Sequence, residues 1–156
     1  MNTDKFSAIA HRDHDYCNPV AAAKIERILD LMPLDAHSRV LDLGCGRAEL
    51  ALRIVERFGS TIVAVERSPF MLDAARERAE WTGALAKLHL DDRDIRAFRA
   101  DPETFHLSVM LGAGGCFGST GGKETFLRDG FVLEQAFHAG AFALGLFKFH
   151  FCLAAG

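Results

Sequence analysis

The chain has 156 residues, of which 49% are hydrophobic and 25% are charged. These values predict one globular domain, 1–156, that buries about two-thirds of the surface exposed by the unfolded chain. The formal net charge of −3 gives no general attraction for phosphate backbones, which argues against nucleic acid as a partner. We therefore expect a small molecule as the partner.

The cysteines and the apolar stretches argue against further classes of protein. The four cysteines stand far apart without a C-x-x-C pair and with no signal peptide ahead of them, so we expect neither a disulfide framework nor a metal site. In the apolar C-terminal part, the longest run without a charged residue is 135–147, which at 13 residues is too short to span a membrane. A cytoplasmic protein without membrane contact is expected.

An amphipathic helix is predicted near the N-terminus. Asn18-Pro19 is a typical helix start, because the Asn side chain accepts from an unpaired N–H of the first turn and Pro suits the first helical position. Apolar residues then recur at helical spacing as far as Met32, and Pro33 ends the pattern. We predict a helix over 19–32, within an N-terminal cap formed by residues 1–37.

Strands and helices alternate after this cap. The hydrophobic pattern predicts strands over 38–43, 61–66, 86–90 and 106–111, with helices over 47–58 and 69–82. Ser68 is interpreted as the N-cap of the second of these helices, and Gly83 as its end. This alternation predicts a Rossmann-like, doubly wound α/β fold with a mainly parallel sheet and helices on both faces.

Two glycines follow the first predicted strand, and an acidic residue ends the second. Gly44 and Gly46 can adopt positive φ and carry no Cβ, so the backbone can turn sharply and approach a ligand closely. Glu66 can accept hydrogen bonds from two ribose hydroxyls. We interpret this pattern as a nucleoside-cofactor site at the carboxyl end of the first strand.

The residues around the glycines favour a cationic ligand over a dinucleotide. A dinucleotide fingerprint needs a third glycine at position 49, where this chain has Glu49. Asp42 would repel a pyrophosphate, whereas it would attract an amino group or a sulfonium. Glu66 alone does not decide between these cofactors, because the same geometry accepts NAD.

The motif Asp42-Leu43-Gly44-Cys45-Gly46 resembles the first motif of class I S-adenosylmethionine-dependent methyltransferases of the bacterial small-molecule type. The resemblance continues through 63–66, 93–95 and 107–112, and covers about residues 38–115, the expected cofactor-binding core. It implies S-adenosyl-L-methionine as the cofactor and the strand order 3-2-1-4-5. It also implies methyl transfer to an O, N, S or C atom of a small-molecule acceptor.

The resemblance further implies which residues contact the cofactor. Asp94 would lie near the adenine amino group and Ile95 against the ring, with Asp91 and Asp92 as competitors for the first role. Ser68 lines the adenosine pocket or caps the helix, and Met71 belongs either to the adenosine pocket or to the core. The expected cofactor-binding residues are Asp42, Gly44, Cys45, Gly46, Glu66, Arg67, Met71, Asp94, Ile95, Leu111 and Gly112.

The sequence does not identify a catalytic residue, but the N-terminal segment offers candidates. Residues 10–14 and 17–19 resemble the N-terminal segment of some bacterial small-molecule methyltransferases. Folded over the cofactor as a lid, this segment would turn His14, Tyr16 or Asn18 toward the substrate. Its His, Asp and Cys residues can also be drawn as a metal cluster, but ligands so crowded in sequence rarely converge, and we expect no metal.

The C-terminal part, 116–156, departs from the pattern of the family. Apolar residues over 132–144 fit a helical stripe, and those over 147–153 alternate as in a strand, so we predict a helix followed by the fifth strand. The last two strands of the family fold, one of them antiparallel, would then be missing. An exposed edge rich in Phe would favour a homodimer through this segment.

Two other functions stay open. An NAD-dependent oxidoreductase of the Rossmann type is disfavoured by Asp42 and Glu49 and by the lack of a recognisable Tyr-Lys pair. A truncated domain that binds S-adenosylmethionine without transferring its methyl group is the other alternative.

Overall fold

The computed structural model describes residues 3–17, 20–100, 104–113, 131–138 and 141–146. The helices in these ranges are α1 (Thr3–Ala10), α2 (Ala22–Leu29), α3 (Glu49–Phe58) and α4 (Pro69–Thr82), with short 3-10 helices at Ala84–Ala86 and Ile95–Ala97. The strands are β1 (Arg39–Leu43), β2 (Thr61–Glu66), β3 (Leu88–Asp92), β4 (Leu107–Met110), β5 (Phe131–His138) and β6 (Ala141–Leu146).

The strands form one sheet in the order β3-β2-β1-β4-β5-β6. Strand β1 pairs in parallel with β2 on one side and with β4 on the other, and its last residue, Leu43, lies beside Val65. The chain builds β1 to β3 in one direction and then crosses to β4, so the switch point lies between β1 and β4. The predicted Rossmann-like α/β fold with the order 3-2-1-4-5 is confirmed.

Alternate strand residues build two apolar layers on the sheet. Val40 and Val109 are completely buried and pack with the apolar faces of α2, α3 and α4. Leu41 points to the opposite face, where Ile95 and Phe98 cover it. In the part of the chain that the structure describes, a 3-10 helix and the residue after it therefore cover the second face.

The ends of α3 and α4 lie where the sequence predicts them. Each helix is followed by a glycine in the left-handed conformation, Gly59 with φ +68° and Gly83 with φ +72°. The Gly59 N–H donates to the Val55 carbonyl at 2.8 Å, which closes the last turn of α3. Strand β2 and helix α4 span the residues that the hydrophobic pattern predicts.

The N-terminal helices differ from the prediction. Helix α2 begins at Ala22 instead of residue 19, because Ala21 before it is extended, with φ −72° and ψ 129°. The predicted start at Asn18-Pro19 lies outside the described residues. Helix α1 was not predicted, because its eight residues are too few for a clear apolar stripe.

Strand β3 begins two residues later than expected. The chain leaves Gly83 through the 3-10 turn Ala84–Ala86, where the Lys87 N–H donates to the Ala84 carbonyl at 2.9 Å. Apolar residues in this turn imitate the start of a strand. The pairing of Leu88 with Ile62 shows where the strand begins.

The predicted helix over 132–144 is wrong. The structure has β5 over Phe131–His138, parallel to β4, and β6 over Ala141–Leu146, antiparallel to β5. In an apolar stretch, periodicity does not distinguish a helix from a strand. Strands form here because β4 has an open edge with which β5 pairs. One antiparallel strand therefore follows the fifth, where we expected none, and the fifth strand predicted over 147–153 lies outside the described residues.

Candidate functional site

The turn after β1 depends on its two glycines. Gly44 and Gly46 have φ of +72° and +55°, and the Gly44 N–H donates to the Val65 carbonyl at 2.8 Å. A Cβ at Gly44 would lie 2.5 Å from the Cβ of Ala113, and one at Gly46 would lie 3.3 Å from the Sγ of Cys17. Ala113 and Cys17 can therefore lie this close to the turn only because Gly44 and Gly46 have no side chains. The backbone of the turn lines the space next to it.

Glu66, at the end of β2, is held by backbone amides. Its Oε1 accepts from the N–H groups of Arg67 and Ser68, both at 2.9 Å, and its Oε2 accepts from the Gly46 N–H at 3.1 Å. A carboxylate offers about four acceptor positions, so one remains free of these backbone bonds. A grip on two ribose hydroxyls, as the sequence predicts, therefore needs one of these three amides to change its acceptor.

Asp42 lies inside the sheet near the end of β1. Its side chain is buried, with 2% of the residue exposed. Burial, and next the negative charge of Glu66, raises the pKa of Asp42 to about 7. Burial likewise raises the pKa of the neighbouring Cys45 thiol well above its usual value, so this cysteine is a poor nucleophile. A cationic ligand group would favour the ionised form of Asp42.

Two neighbouring cavities lie at the carboxyl ends of β1, β2 and β4. The large cavity has a volume of about 500 Å³, and the small cavity has about 40 Å³. Gly44, Gly46 and Leu111 line both of them, whereas Asp42 and Cys45 line the small cavity alone. The other six expected cofactor-binding residues line the large cavity: Glu66, Arg67, Met71, Asp94, Ile95 and Gly112. The structure thus brings all eleven together.

Asp94 lines the large cavity, and its carboxylate is paired with Arg96. Its Oδ1 accepts from the Arg96 Nε at 2.8 Å, and its Oδ2 accepts from the Arg96 Nη2 at 2.5 Å. The Arg96 guanidinium and backbone N–H hold the pKa of Asp94 well below its usual range. The competitors Asp91 and Asp92 belong to β3 and are not among the described residues that line the cavity.

Arg47 fastens the N-terminal segment to the glycine turn. Its Nη1 donates to the carbonyl oxygens of His11 at 2.9 Å, Arg12 at 2.5 Å and His14 at 3.1 Å. These bonds lay the segment 11–17 against both cavities, with His11 at the large cavity and Cys17 at both. We name this contact the Arg47 clamp.

Arg47→Met is expected to release the segment 11–17. Nη1 carries two hydrogens, which the three carbonyls share, so the substitution removes two charge-assisted hydrogen bonds. Loss of even one such bond corresponds to amide exchange about tenfold faster in this segment. Hydrogen exchange measured by mass spectrometry checks this. Arg76→Met is the control, because Arg76 pairs with Asp73 on the exposed face of α4. Equal exchange in Arg47→Met and the unsubstituted protein would contradict the clamp.

The three candidates for the catalytic role have different positions. Tyr16 is buried and lines the small cavity. His14 is exposed and lines neither cavity, and only its carbonyl takes part, in the Arg47 clamp. Asn18 lies outside the described residues. Of the three, only Tyr16 is placed by the structure beside the expected cofactor residues.

Sequence reasoning left the role of Ser68 open and gave Glu49 a different role. Ser68 precedes α4 as predicted, yet its side chain makes no cap hydrogen bond and lines the large cavity. Glu49 lines the small cavity, and its carboxylate pairs with Arg53 at 2.7 Å and with Arg78. The sequence signals a cap in the first case and a missing glycine in the second, and neither pattern reveals the side-chain partners.

The described residues offer neither a metal site nor a helix that could span a membrane. Among the residues that the structure describes, no group of three or more His, Cys, Asp or Glu side chains is arranged to hold a metal ion. Within the same part of the chain, no helix has the length and apolar character needed to cross a membrane.

Proteins with known sequences match this chain over part of their length. YjhP of Escherichia coli (strain K12), an uncharacterised protein, is 24% identical over 127 residues, which cover 81% of this chain and 51% of YjhP. Trans-aconitate 2-methyltransferase of Rhodococcus jostii is 36% identical over 77 residues, which cover 47% of this chain and 27% of the relative. The chain thus spans about half the length of YjhP and less of the second relative.

A solved structure with the same fold carries a ligand. The S-adenosylmethionine-dependent methyltransferase of Geobacter sulfurreducens, in complex with S-adenosyl-L-homocysteine, matches with a TM-score of 0.76 at 21% identity, over 87% of this chain and 55% of that chain. At this identity the similarity shows the fold. Residues 40–129, more than half of the chain, match the family described as methyltransferase domain. The chain therefore belongs to the methyltransferase domain family.

Proposed function

We propose that this chain binds S-adenosyl-L-methionine and takes part in methyl transfer to an O, N, S or C atom of a small-molecule acceptor. One observation carries the proposal: a glycine turn borders two neighbouring cavities, with the buried Asp42 carboxyl at the small one and the Glu66 carboxylate at the large one of about 500 Å³. This volume lies within the range of pockets for small molecules and cofactors. Membership of the methyltransferase domain family supports the assignment.

The residues present suit the parts of this cofactor. Asp42 would face the ammonium group, because a buried carboxyl is stabilised in its ionised form by a cation. Glu66 would accept from the ribose, while Asp94 and Ile95 would lie at the adenine. The buried Asp42 carboxyl at the small cavity and the Glu66 carboxylate at the large cavity favour an occupant with a cationic end and hydroxyl donors.

Methyl transfer makes modest demands on the protein. The bound sulfonium supplies an activated methyl group with a good leaving group. The chain's own residues then have to orient the acceptor about 3 Å from the methyl carbon and exclude water, and positioning of this kind lowers a barrier by about 7–11 kcal/mol. The Arg47 clamp contributes by holding the segment 11–17 against the cavities.

Calorimetric titration of the full chain tests the cofactor. We expect binding of S-adenosyl-L-methionine and S-adenosyl-L-homocysteine and no binding of NAD. Release of S-adenosyl-L-homocysteine is then measured with a panel of amines, phenols and carboxylic acids. The acids are included because the Rhodococcus relative is named for trans-aconitate. Binding of NAD in place of the two S-adenosyl compounds would support the oxidoreductase and overturn the proposal.

A second candidate is a domain that binds the cofactor without transferring its methyl group. The chain spans 51% of YjhP and 27% of the Rhodococcus methyltransferase, so methyl transfer is tested separately from binding. Binding without turnover across the acceptor panel would support it. The homodimer expected from the apolar residues 116–156 is a separate proposal, which sedimentation velocity tests by the mass of the particle.

A further inference from the structure

The N-terminal part of the chain supplies one wall of the large cavity. Ser7, His11 and Cys17 line this cavity, and none of them is among the eleven expected cofactor-binding residues. The Arg47 clamp holds this wall in place, in part through the His11 carbonyl. Methyl transfer requires an acceptor beside the cofactor, and groups that act on the acceptor can lie on a wall without expected cofactor contacts.

One carbonyl group fixes the ring of His11. The Ser7 carbonyl of α1 accepts from the His11 backbone N–H at 3.1 Å, and the His11 Nδ1 lies 2.9 Å from the same oxygen. A carbonyl oxygen has no hydrogen to donate, so we assign the hydrogen of this bond to Nδ1. The neutral ring then has its lone pair on Nε2, at the edge turned away from α1.

The other titratable groups on the large cavity are poor proton acceptors. Burial raises the pKa of the Cys17 thiol, so this thiol keeps its proton. The Glu66 oxygens already accept from three main-chain amides. The Arg96 guanidinium holds the pKa of Asp94 well below its usual range. The arginines on the wall are permanently protonated. Among the described residues that line this cavity, His11 is therefore best suited to take up a proton.

We propose that His11 is a catalytic base for acceptors that must lose a proton before they attack, such as phenols and ammonium groups. In this step Nε2 accepts the proton from the acceptor, and the electron pair left on the oxygen or nitrogen forms the bond to the methyl carbon. The electron pair of the broken sulfur–carbon bond stays on the sulfur of the donor. The His11 imidazolium then releases its proton to water.

This role of His11 defines a class of acceptor. A carboxylic acid is already ionised at neutral pH and needs no base, whereas a phenol or an ammonium group keeps its proton there. The inference thus assigns phenols and amines, and not carboxylic acids, as the acceptors. It rests on the proposed function, because it needs S-adenosyl-L-methionine as the methyl donor.

His11→Asn removes the base and keeps the hydrogen bond to α1. The Asn amide nitrogen occupies the place of Nδ1 and can donate to the Ser7 carbonyl, but the variant has no Nε2. We expect turnover of phenols and amines to fall about 100-fold or more, and binding of S-adenosyl-L-homocysteine, measured by calorimetric titration, to stay unchanged. His89→Asn is the control, because His89 is exposed on β3 and lines neither cavity.

A series of phenols of increasing acidity distinguishes a base from a residue with a structural role only. A phenol that is already ionised in solution needs no base. The loss of turnover in His11→Asn should therefore shrink as the acidity of the phenol rises, until the variant and the unsubstituted protein are equal. A residue with a structural role only would give the same loss for every phenol.

Nuclear magnetic resonance of the ligand-free protein gives a readout that does not depend on turnover. The ring nitrogens of His11 are observed after labelling with ¹⁵N, and their signals are assigned by their absence in His11→Asn. At a pH where the ring is neutral, Nδ1 should carry the hydrogen and Nε2 should not. A hydrogen on Nε2 would overturn the inference.

The remaining outcomes separate this inference from the proposed function. Turnover of phenols and amines that does not change in His11→Asn, an equal loss for all phenols, or methylation of carboxylic acids alone would each overturn the inference and leave the proposed function standing. Failure of the unsubstituted protein to bind S-adenosyl-L-homocysteine would overturn both. Binding without turnover of any acceptor would overturn the inference together with the assignment of methyl transfer.

Discussion

Gly44→Ala is expected to weaken binding of S-adenosyl-L-homocysteine by at least about 100-fold and to destabilise the fold. The new Cβ would lie 2.5 Å from the Cβ of Ala113, at a residue with φ +72°. The left-handed conformation costs an alanine about 1–2 kcal/mol, and overpacking adds about 1–3 kcal/mol. Relief of the contact moves the backbone that borders both cavities. Calorimetric titration and chemical denaturation measure the two effects.

Gly83→Ala separates the cost of the left-handed conformation from the cost of the contact with Ala113. Gly83 has the same φ of +72°, and a Cβ there would meet nothing within 4 Å. This variant should lose about 1–2 kcal/mol of stability through the left-handed conformation alone and should bind S-adenosyl-L-homocysteine normally. If Gly44→Ala kept its affinity, or if both variants lost affinity equally, the role assigned to the glycine turn would be contradicted.

Asp42→Asn is expected to remove a pH dependence of stability that the unsubstituted protein shows. The pKa of Asp42 rises from 3.8 to about 7 on folding. Between these values the folded state keeps a proton that the unfolded state releases, so the free energy of unfolding falls as the pH rises from about 4 to 7 and is level above that. A shift of this size corresponds to about 4 kcal/mol.

Urea denaturation at several pH values between 4 and 8 measures this difference. The free energy of unfolding of Asp42→Asn should lack this fall, whereas its affinity for S-adenosyl-L-homocysteine should drop because the ligand's ammonium group loses a charged partner. Asp73→Asn is the control, since the Asp73 side chain is 76% exposed. If the unsubstituted protein and Asp42→Asn showed the same pH dependence, the burial of Asp42 would not have the effect assigned to it.

The parts of the fold that the sequence predicts well have local signals. Gly83 ends α4 because a residue without Cβ adopts φ +72° at little cost, and a glycine in this place is visible in the sequence. Strand β2 is rich in β-branched residues, and its predicted bounds, 61–66, agree with the structure. Strands β5 and β6 lack such signals, since their pairing depends on the open edge of β4 and on each other.

The candidate site likewise divides into residues with a local sequence signal and contacts without one. The glycines and acids after β1 and β2 are recognisable because the conformation and the charge belong to the residues themselves. The Arg47 clamp joins residues more than thirty positions apart, and no spacing rule connects an arginine with the carbonyls of an earlier turn. The hydroxyls of Tyr16 and Ser68, which have no hydrogen-bond partner among the described residues, are likewise recognisable only once the surroundings are known.

The two carboxylates at the large cavity will respond differently to the salt of the solution. Glu66 is held by three main-chain amides, which carry no net charge, so these bonds depend less on ionic strength than a pair of opposite charges does. Asp94 pairs with the Arg96 side chain, which is 59% exposed, and exposed pairs weaken as ionic strength rises. A halophilic or saline setting would therefore loosen the side of the large cavity at Asp94 while leaving the side at Glu66 intact.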